Sequence, residues 1–269
     1  MKQIASVVEY LEMVERYCRK GCLTNDYIQQ GAADLIVHDA LFAVCNENNV
    51  FLFVKKNVGL RMYYYINDIT ENADFSDIHD AVVEILFRGD TPKDEIEYLT
   101  KQGFRINLIR DQYAAMYGDL ARNVAFIPGV VIEEAKSYKA VKTACELFND
   151  TFDKLSGDFI PASEYQNLLD CGSILVAWNT DKSSFLGALH QVKEGSVNVI
   201  GHLAVMKHAR GQGVGKALVD AFVERNKNIE RMEKTRYQLW VQRQNVAAVK
   251  LYINTGFKFL NKSTISLIK

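Results

Sequence analysis

The chain has almost no net charge: 32 Lys and Arg against 33 Asp and Glu in 269 residues leave −1 at neutral pH. A field that would by itself gather nucleic acid or an anionic membrane is lacking, so partners must be recognised locally. No apolar run approaches the roughly 20 residues that cross a bilayer. The opening stretch MKQIASVVEYLEMVERYCRK carries Glu9, Glu12 and Glu15 where a secretory signal is apolar. It reads as an amphipathic helix, and a cytoplasmic location is expected. Cysteine is sparse and odd in number: Cys18, Cys22, Cys45, Cys145 and Cys171 are scattered through a chain large enough to fold without staples. Cys18 and Cys22 have neither a second pair nor a nearby histidine to complete a zinc set, so plain thiols are expected and no metal.

Apolar material is ample, at 48% of the chain, and the length suits one or two domains. Residues 1 to about 48 read as helical, with Val7, Leu11, Val14 and Tyr17 at three- and four-residue steps. NVFLFVKK (49–56) and LRMYYYIND (60–68) read as a hairpin turned at Asn57 to Gly59, and AVVEILFRG (81–89) as a further strand. A helix from Thr91 to Gly103 and the strand FRINLIRD follow. The stretch MYGDLARNVAFIPGVVIEEA carries a glycine and then Pro128-Gly129, and separates this β-rich block from a fresh strand at 130–135. A boundary is placed there, giving an N-terminal α/β domain (1–126) and a C-terminal domain (127–269). The second domain reads as helices at 137–150 and about 162–170, the strand SILVAW, and a meander of FLGALHQVK and SVNVIGHLAV ending at Val205. After it come a glycine loop and its helix, the strand YQLWVQ, a helix at 246–254 and two strands at 257–261 and 263–268. The fold class is mixed α/β, with an antiparallel meander feeding the glycine loop.

That loop, ARGQGVGKAL from Ala209, fails two familiar phosphate motifs. A dinucleotide fingerprint needs glycine where Lys216 stands, and a P-loop needs Ser or Thr where Ala217 stands. It remains a strand, a short glycine-rich turn and a helix whose first amides have no internal partner, which is an anion cradle in physical terms. Arg210 and Lys216 add positive charge. The plainer alternative is a glycine-rich connection between strand and helix.

Joined to its flanks the loop is distinctive. Arg210-Gly-Gln-Gly213-Val-Gly215 after a strand ending at Val205, and Asn245-x-x-Ala-x-x-x-Tyr252-x-x-x-Gly256-Phe257 further on, resemble the two signatures of the GCN5-related N-acetyltransferase (GNAT) superfamily over about residues 127–269. The resemblance implies a mostly antiparallel sheet flanked by helices and acetyl-CoA as co-substrate. It implies that the amides of Arg210, Gly211, Gln212, Gly213, Val214, Gly215 and Lys216 hold the pyrophosphate, and that Leu203, Ala204 and Val205 pair with the pantetheine arm. A slot should open where the pre-loop strand splays from YQLWVQ, flanked by Val241 and Gln242, and Tyr252 stands where the family keeps its proton donor. Asn245 either caps its helix or lies by the pantetheine. Many relatives carry a glutamate base near the end of the pre-loop strand; here the positions are Gly201 and His202, so His202 is the candidate base, with His190 and His208 behind it. Asp153, Asp158, Phe152 and Phe159 are candidates for acceptor selection.

The N-terminal half echoes the second signature: AVVEILFRG, a helix with Tyr98, then Gly103-Phe104 and a strand, but no Arg-x-x-Gly-x-Gly. It reads as a degenerate repeat that has lost its cofactor loop and shapes the acceptor cleft or fixes a homodimer, the alternative being an unrelated α/β cap. Two functions are carried forward. One is an N-acyltransferase acting on a primary amine of a small molecule or peptide; the other is a non-catalytic acyl-CoA sensor or interaction module.

Overall fold

Ser6 opens the first helix in the computed structural model, which describes residues 1–26, 28, 31–120, 127–230 and 232–269. After the two-residue β1 (Lys2–Gln3), the Ser6 hydroxyl accepts from the Glu9 amide at 3.1 Å and caps α1 (Val7–Tyr17). Then come β2 (Leu23–Thr24), α2 (Ala32–Val37), β3 (Leu41–Cys45), β4 (Asn49–Lys55), β5 (Leu60–Ile66), β6 (Ala81–Arg88), α3 (Lys93–Lys101) and β7 (Arg105–Met116). The expectation of helix up to residue 48 fails at LFAVC. These five residues are β3 and pair antiparallel with β4 from Leu41↔Val54 to Cys45↔Val50. An apolar run this short has no period of its own, and the neighbouring strand decides its state. The hairpin of β4 and β5 is present, closed by Lys56 N–H donating to the Gly59 carbonyl at 3.1 Å.

β8 (Val130–Glu134), α4 (Tyr138–Thr151), α5 (Tyr165–Asp170), β9 (Ile174–Asn179), β10 (Phe185–Glu194), β11 (Val197–Val205), α6 (Val214–Arg225), β12 (Arg236–Gln242), α7 (Val246–Thr255) and β13 (Lys258–Ile268) complete the chain. The two strands expected at the end are one, and Asn261 with φ of 51° sits where a break was read. No helix among the described residues is long and apolar enough to span a membrane.

The chain divides into two units: Met1–Ile109 with Lys154–Gly157 and Ser263–Lys269, and Arg110–Asp153 with Asp158–Lys262. The division falls inside β7, whereas composition suggests 126/127. Glycine and proline mark where a chain turns, but pairing partners decide which sheet a strand joins. Arg110 to Met116 of β7 pairs with β12, from Gln242 to Arg236.

In the first unit the strands run β1-β3-β4-β5-β6, each pair antiparallel except β5 with β6. That parallel pair holds register only from Leu60↔Ala81 to Met62↔Val83. Beyond it Asn25, 2% exposed, bridges the divergence: its amide nitrogen donates to the Met62 and Glu84 carbonyls at 3.3 and 2.8 Å, and its oxygen accepts from Tyr64 N–H at 2.9 Å. β2 seals the rest by pairing Leu23↔Ile66 and Thr24↔Tyr65. Replacing Asn25 by Ala strands three buried backbone groups and is expected to lower the unfolding free energy by about 2–4 kcal/mol. Urea denaturation checks this, and a loss under about 1 kcal/mol would mean that water satisfies the gap.

In the second unit the order is β7-β12-β11-β10-β9-β8, again antiparallel except for one pair, β11 with β12. Side-chain alternation along β9 sorts the two cores. Ile174 and Val176 pack with Val141, Cys145 and Phe148 of α4 and Leu168 of α5; Leu175 and Ala177 pack with Leu218 and Phe222 of α6 and Tyr252 of α7. One helix pair covers each face, and β11 runs between them.

Candidate active site

β11 and β12 stay in parallel register from Val197↔Arg236 to Ile200↔Leu239 and then part. Past that point Trp240 to Gln242 of β12 pairs with β7, and His202 to Val205 of β11 pairs with β10, so each strand keeps only its outer neighbour. The sheet pairing is broken between them beside Val241 and Gln242, where the slot was expected. Gly201 marks where it starts: the β10 register jumps from Gln191↔Ile200 to His190↔His202, leaving Gly201 as the extra residue of a bulge. A lone glycine inside a strand pattern was the available signal for this bulge.

Alternation then gives the slot two differently furnished faces. Leu203 and Val205 pack toward α6 and α7, whereas Ala204 packs toward α4. Tyr252 lies on the first face in one apolar cluster with Leu203, Val205, Leu239 and Val241, and its ring meets Phe257 edge-on at 5.8 Å. The side chain is 5% exposed, yet among the described residues its hydroxyl has no hydrogen-bond partner. Burial pushes this phenol above its ordinary value, so it stays protonated at neutral pH. Tyr98 on α3 of the first unit, one residue short of the position equivalent to Tyr252, instead donates to the Glu71 carbonyl at 3.0 Å. A core tyrosine is satisfied in that way.

His202 stands on the other face. Phe148 stacks on its ring at 5.2 Å and Phe152 meets it edge-on at the same distance. Its Nδ1 lies 3.1 Å from Nδ1 of His190 across the β10–β11 pair. Burial, and secondly His202, push His190 down to about 4. Of the acceptor-loop residues, Phe152 therefore touches a site residue, while the side chain of Asp158 lies outside the described residues.

The glycine loop sits at the end of β11. After the turn Lys207–Ala209, Gly211 and Gly213 take φ of 76° and 83°, a region that favours glycine, and α6 begins at Val214. Residues 210–213 are exposed, and a Cβ on Gly211 would meet nothing within 4 Å. Among the described residues nothing accepts from the amides of Gly211, Gln212, Gly213, Val214 or Gly215; Ala217 N–H is the first to bond back, to the Gly213 carbonyl at 3.0 Å. These donors and the positive end of α6 suit an anion. The loop's polar side chains shape it: Arg210 Nε donates to the Val205 carbonyl at 3.1 Å, and Gln212 Nε2 to the His208 carbonyl at 2.8 Å. Lys216 pairs with Asp220 at 2.6 Å, so the backbone is the principal anion-facing element.

Asn245 caps α7 by accepting from the Ala248 amide at 3.1 Å. Sequence reasoning missed Arg243 just before it, whose Nε and terminal nitrogen bond both oxygens of Asp111 at 2.9 and 2.7 Å and tie the β12–α7 turn to β7. Nothing local could reveal a partner so far along the chain.

The match in the sequence agrees with this geometry: residues 170–259 fit the family described as acetyltransferase (GNAT) domain. Solved GNAT structures show the same fold over most of the chain. A GCN5-related N-acetyltransferase from Sphaerobacter thermophilus is 16% identical with a TM-score of 0.57, covering 81% of this chain and 76% of its own. One from Kribbella flavida is 14% identical with a TM-score of 0.52, covering 87% and 91%. A tandem GNAT protein from the clavulanic acid biosynthesis pathway is 9% identical with a TM-score of 0.55, covering 85% and 82%. At such identities the likeness concerns the fold, and the tandem protein supports a second GNAT-like repeat in the N-terminal half. No curated protein matches the sequence.

Proposed function

We propose that the protein is a cytoplasmic acyl-CoA-dependent N-acyltransferase that moves acetyl from acetyl-CoA to a primary amine of a small molecule or peptide by direct attack in a ternary complex. The observation that carries this reading is the parting of β11 and β12, beside which the Tyr252 hydroxyl has no partner among the described residues. The amides of Arg210 to Lys216 hold the diphosphate, and the backbone of Leu203 to Val205, with Asn245 nearby, lines the pantetheine arm. Bound acetyl-CoA supplies the thioester. The neutral amine nitrogen bonds to its carbonyl carbon, His202 takes the nitrogen's proton, and Tyr252 gives its own proton to the sulfur as the C–S bond breaks. The products are the amide and the free CoA thiol, and both side chains recover by exchange with water.

We assign this chemistry to the domain at 127–269 and treat 1–126 as a repeat without a cofactor loop, its equivalent divergence closed by Asn25 and β2. Calorimetry should therefore give one acyl-CoA per chain. Thiol release from acetyl-CoA across a broad amine panel tests the activity, and binding without thiol release for every amine would make the protein a sensor.

The two loop glycines should respond differently. Gly213→Val puts a β-branched residue at φ of 83° and its Cβ 2.7 Å from Ile127 Cδ1, so acyl-CoA affinity is expected to fall at least about tenfold in a folded protein. Gly215 is helical and its Cβ would meet Leu251 at 3.4 Å, an ordinary contact, so Gly215→Ala should leave the fold intact. Unchanged affinity in Gly213→Val would remove the loop from the binding site.

A further inference from the structure

We infer that Arg61 is a positioning residue for acceptor selection: its guanidinium holds the Ser156 carbonyl and so fixes the tip of the loop between α4 and α5, whose first residues border the parting of β11 and β12. The inference rests on reading that parting as the place where the amine is acylated.

The loop is closed at its base. Asn149 of α4 donates from its amide nitrogen to the Ile160 carbonyl and accepts from Ile160 N–H, both at 2.9 Å. The chain leaves α4 after Thr151, and Phe152 meets the His202 ring edge-on at 5.2 Å, two residues past the last position where β11 pairs with β12. Lys154–Asp158 then form a single π-helical turn. A lone turn fixes many dihedrals for very few hydrogen bonds, so it persists only with support from outside. Lys154–Gly157 belongs to the first unit, while the chain on both sides of it belongs to the second.

The support comes at two points. Arg61, near the start of β5, uses its terminal nitrogens separately: Nη1 pairs with Glu84 at 2.6 Å, and Nη2 donates to the Ser156 carbonyl at 3.1 Å. The two ionic side chains are only 19% and 22% exposed, so Glu84 orients the guanidinium fork that meets the loop. Ser156 is 3% exposed, where a loop tip is ordinarily open to water, and a buried carbonyl needs a donor. Leu155 packs on the turn between β4 and β5. A Cβ on Gly59, at φ of 65°, would lie 2.5 Å from Leu155 Cδ1 and 2.1 Å from the Asp80 carbonyl oxygen, so glycine is what lets the tip approach. Asp153 and Phe159, two of the candidates for acceptor selection, flank this fixed tip. With base and tip both held, an amine meets a wall already in place and binds without ordering a loop.

Hydrogen exchange of the full chain tests the anchor without amine or acyl-CoA. In Arg61→Ala the amides of residues 153–159 should exchange about tenfold to hundredfold faster, while those of the glycine loop at 210–215 keep their wild-type rates. Leu155→Ala, which loosens the same tip without altering β5 or β6, should act in the same direction, and it decides the matter if Arg61→Ala does not fold. Thiol release across the amine panel tests the role. Arg61→Ala should raise KM for the preferred amine about tenfold and narrow its kcat/KM advantage over other amines, with KM for acetyl-CoA unchanged within about twofold. A merely structural role would move both KM values together or neither. Unchanged exchange in both variants would overturn the anchor, and an unchanged amine KM with a loosened loop would overturn its part in acceptor selection. If the wild type releases no thiol with any amine, the acyltransferase reading fails and the acceptor role with it, while the exchange rates still decide the anchor.

Discussion

Tyr252→Phe is expected to lower kcat at least about 10²-fold while leaving acetyl-CoA affinity unchanged. The variant removes one oxygen and touches none of the amides at 211–215. Stability tells the two possible roles of this tyrosine apart. A core tyrosine whose hydroxyl is bonded loses about 1 kcal/mol on conversion to Phe. Tyr252 has no such bond among the described residues, so the melting temperature should hold. Tyr98→Phe, which deletes the bond to Glu71, should lower stability and leave turnover alone. The pH profile follows with its sign. Burial raises the Tyr252 phenol, so the acid form persists through neutrality and no alkaline limb from it appears below about pH 10. Equal turnover in wild type and Tyr252→Phe would remove Tyr252 from proton transfer.

Gly256→Val should cost at least about 3 kcal/mol of unfolding free energy. Gly256 ends α7 at φ of 105°, with its amide bonded to the Ile253 carbonyl and Phe257 N–H to the Tyr252 carbonyl at 3.0 Å each. Its ideal Cβ would lie 2.4 Å from the Asp119 carbonyl oxygen and 3.0 Å from Leu120 Cα, so backbone and not a side-chain tip must move. Because Phe257 packs on Tyr252, activity should fall with stability. Gly103 ends α3 in the same way at φ of 89°, but its Cβ would meet only the flexible end of Lys269, at 3.2 Å from Nζ. Substitution there should cost only about 1 kcal/mol, the usual left-handed penalty. Chemical denaturation of both variants makes the comparison, and similar losses would show that the segment at Asp119 and Leu120 yields freely.

The shared helix ending at Gly103-Phe104 and Gly256-Phe257 was legible as a repeat because both halves spell it in consecutive residues. The same holds for the glycine loop and its two positive-φ turns, for Asn245 as a cap, and for the order of helices and strands across residues 137–260. Periodicity, caps and turns are written within a few positions of the chain, so their chemistry is local. Pairings beyond adjacent hairpins were not. LFAVC became a strand because β4 lay beside it. β7 left the first unit because its end pairs with β12. Asn25 closes a divergence whose two sides are far from it in sequence. Thus the sequence by itself determined the kind of fold, the anion-facing loop and the identity of Tyr252. Only the tertiary structure decided that β11 and β12 part just past Ile200 and Leu239, that His190 faces His202 across a bulge, and that the Tyr252 hydroxyl lacks a partner among the described residues. Register and cross-strand contact bring together residues that no local pattern links.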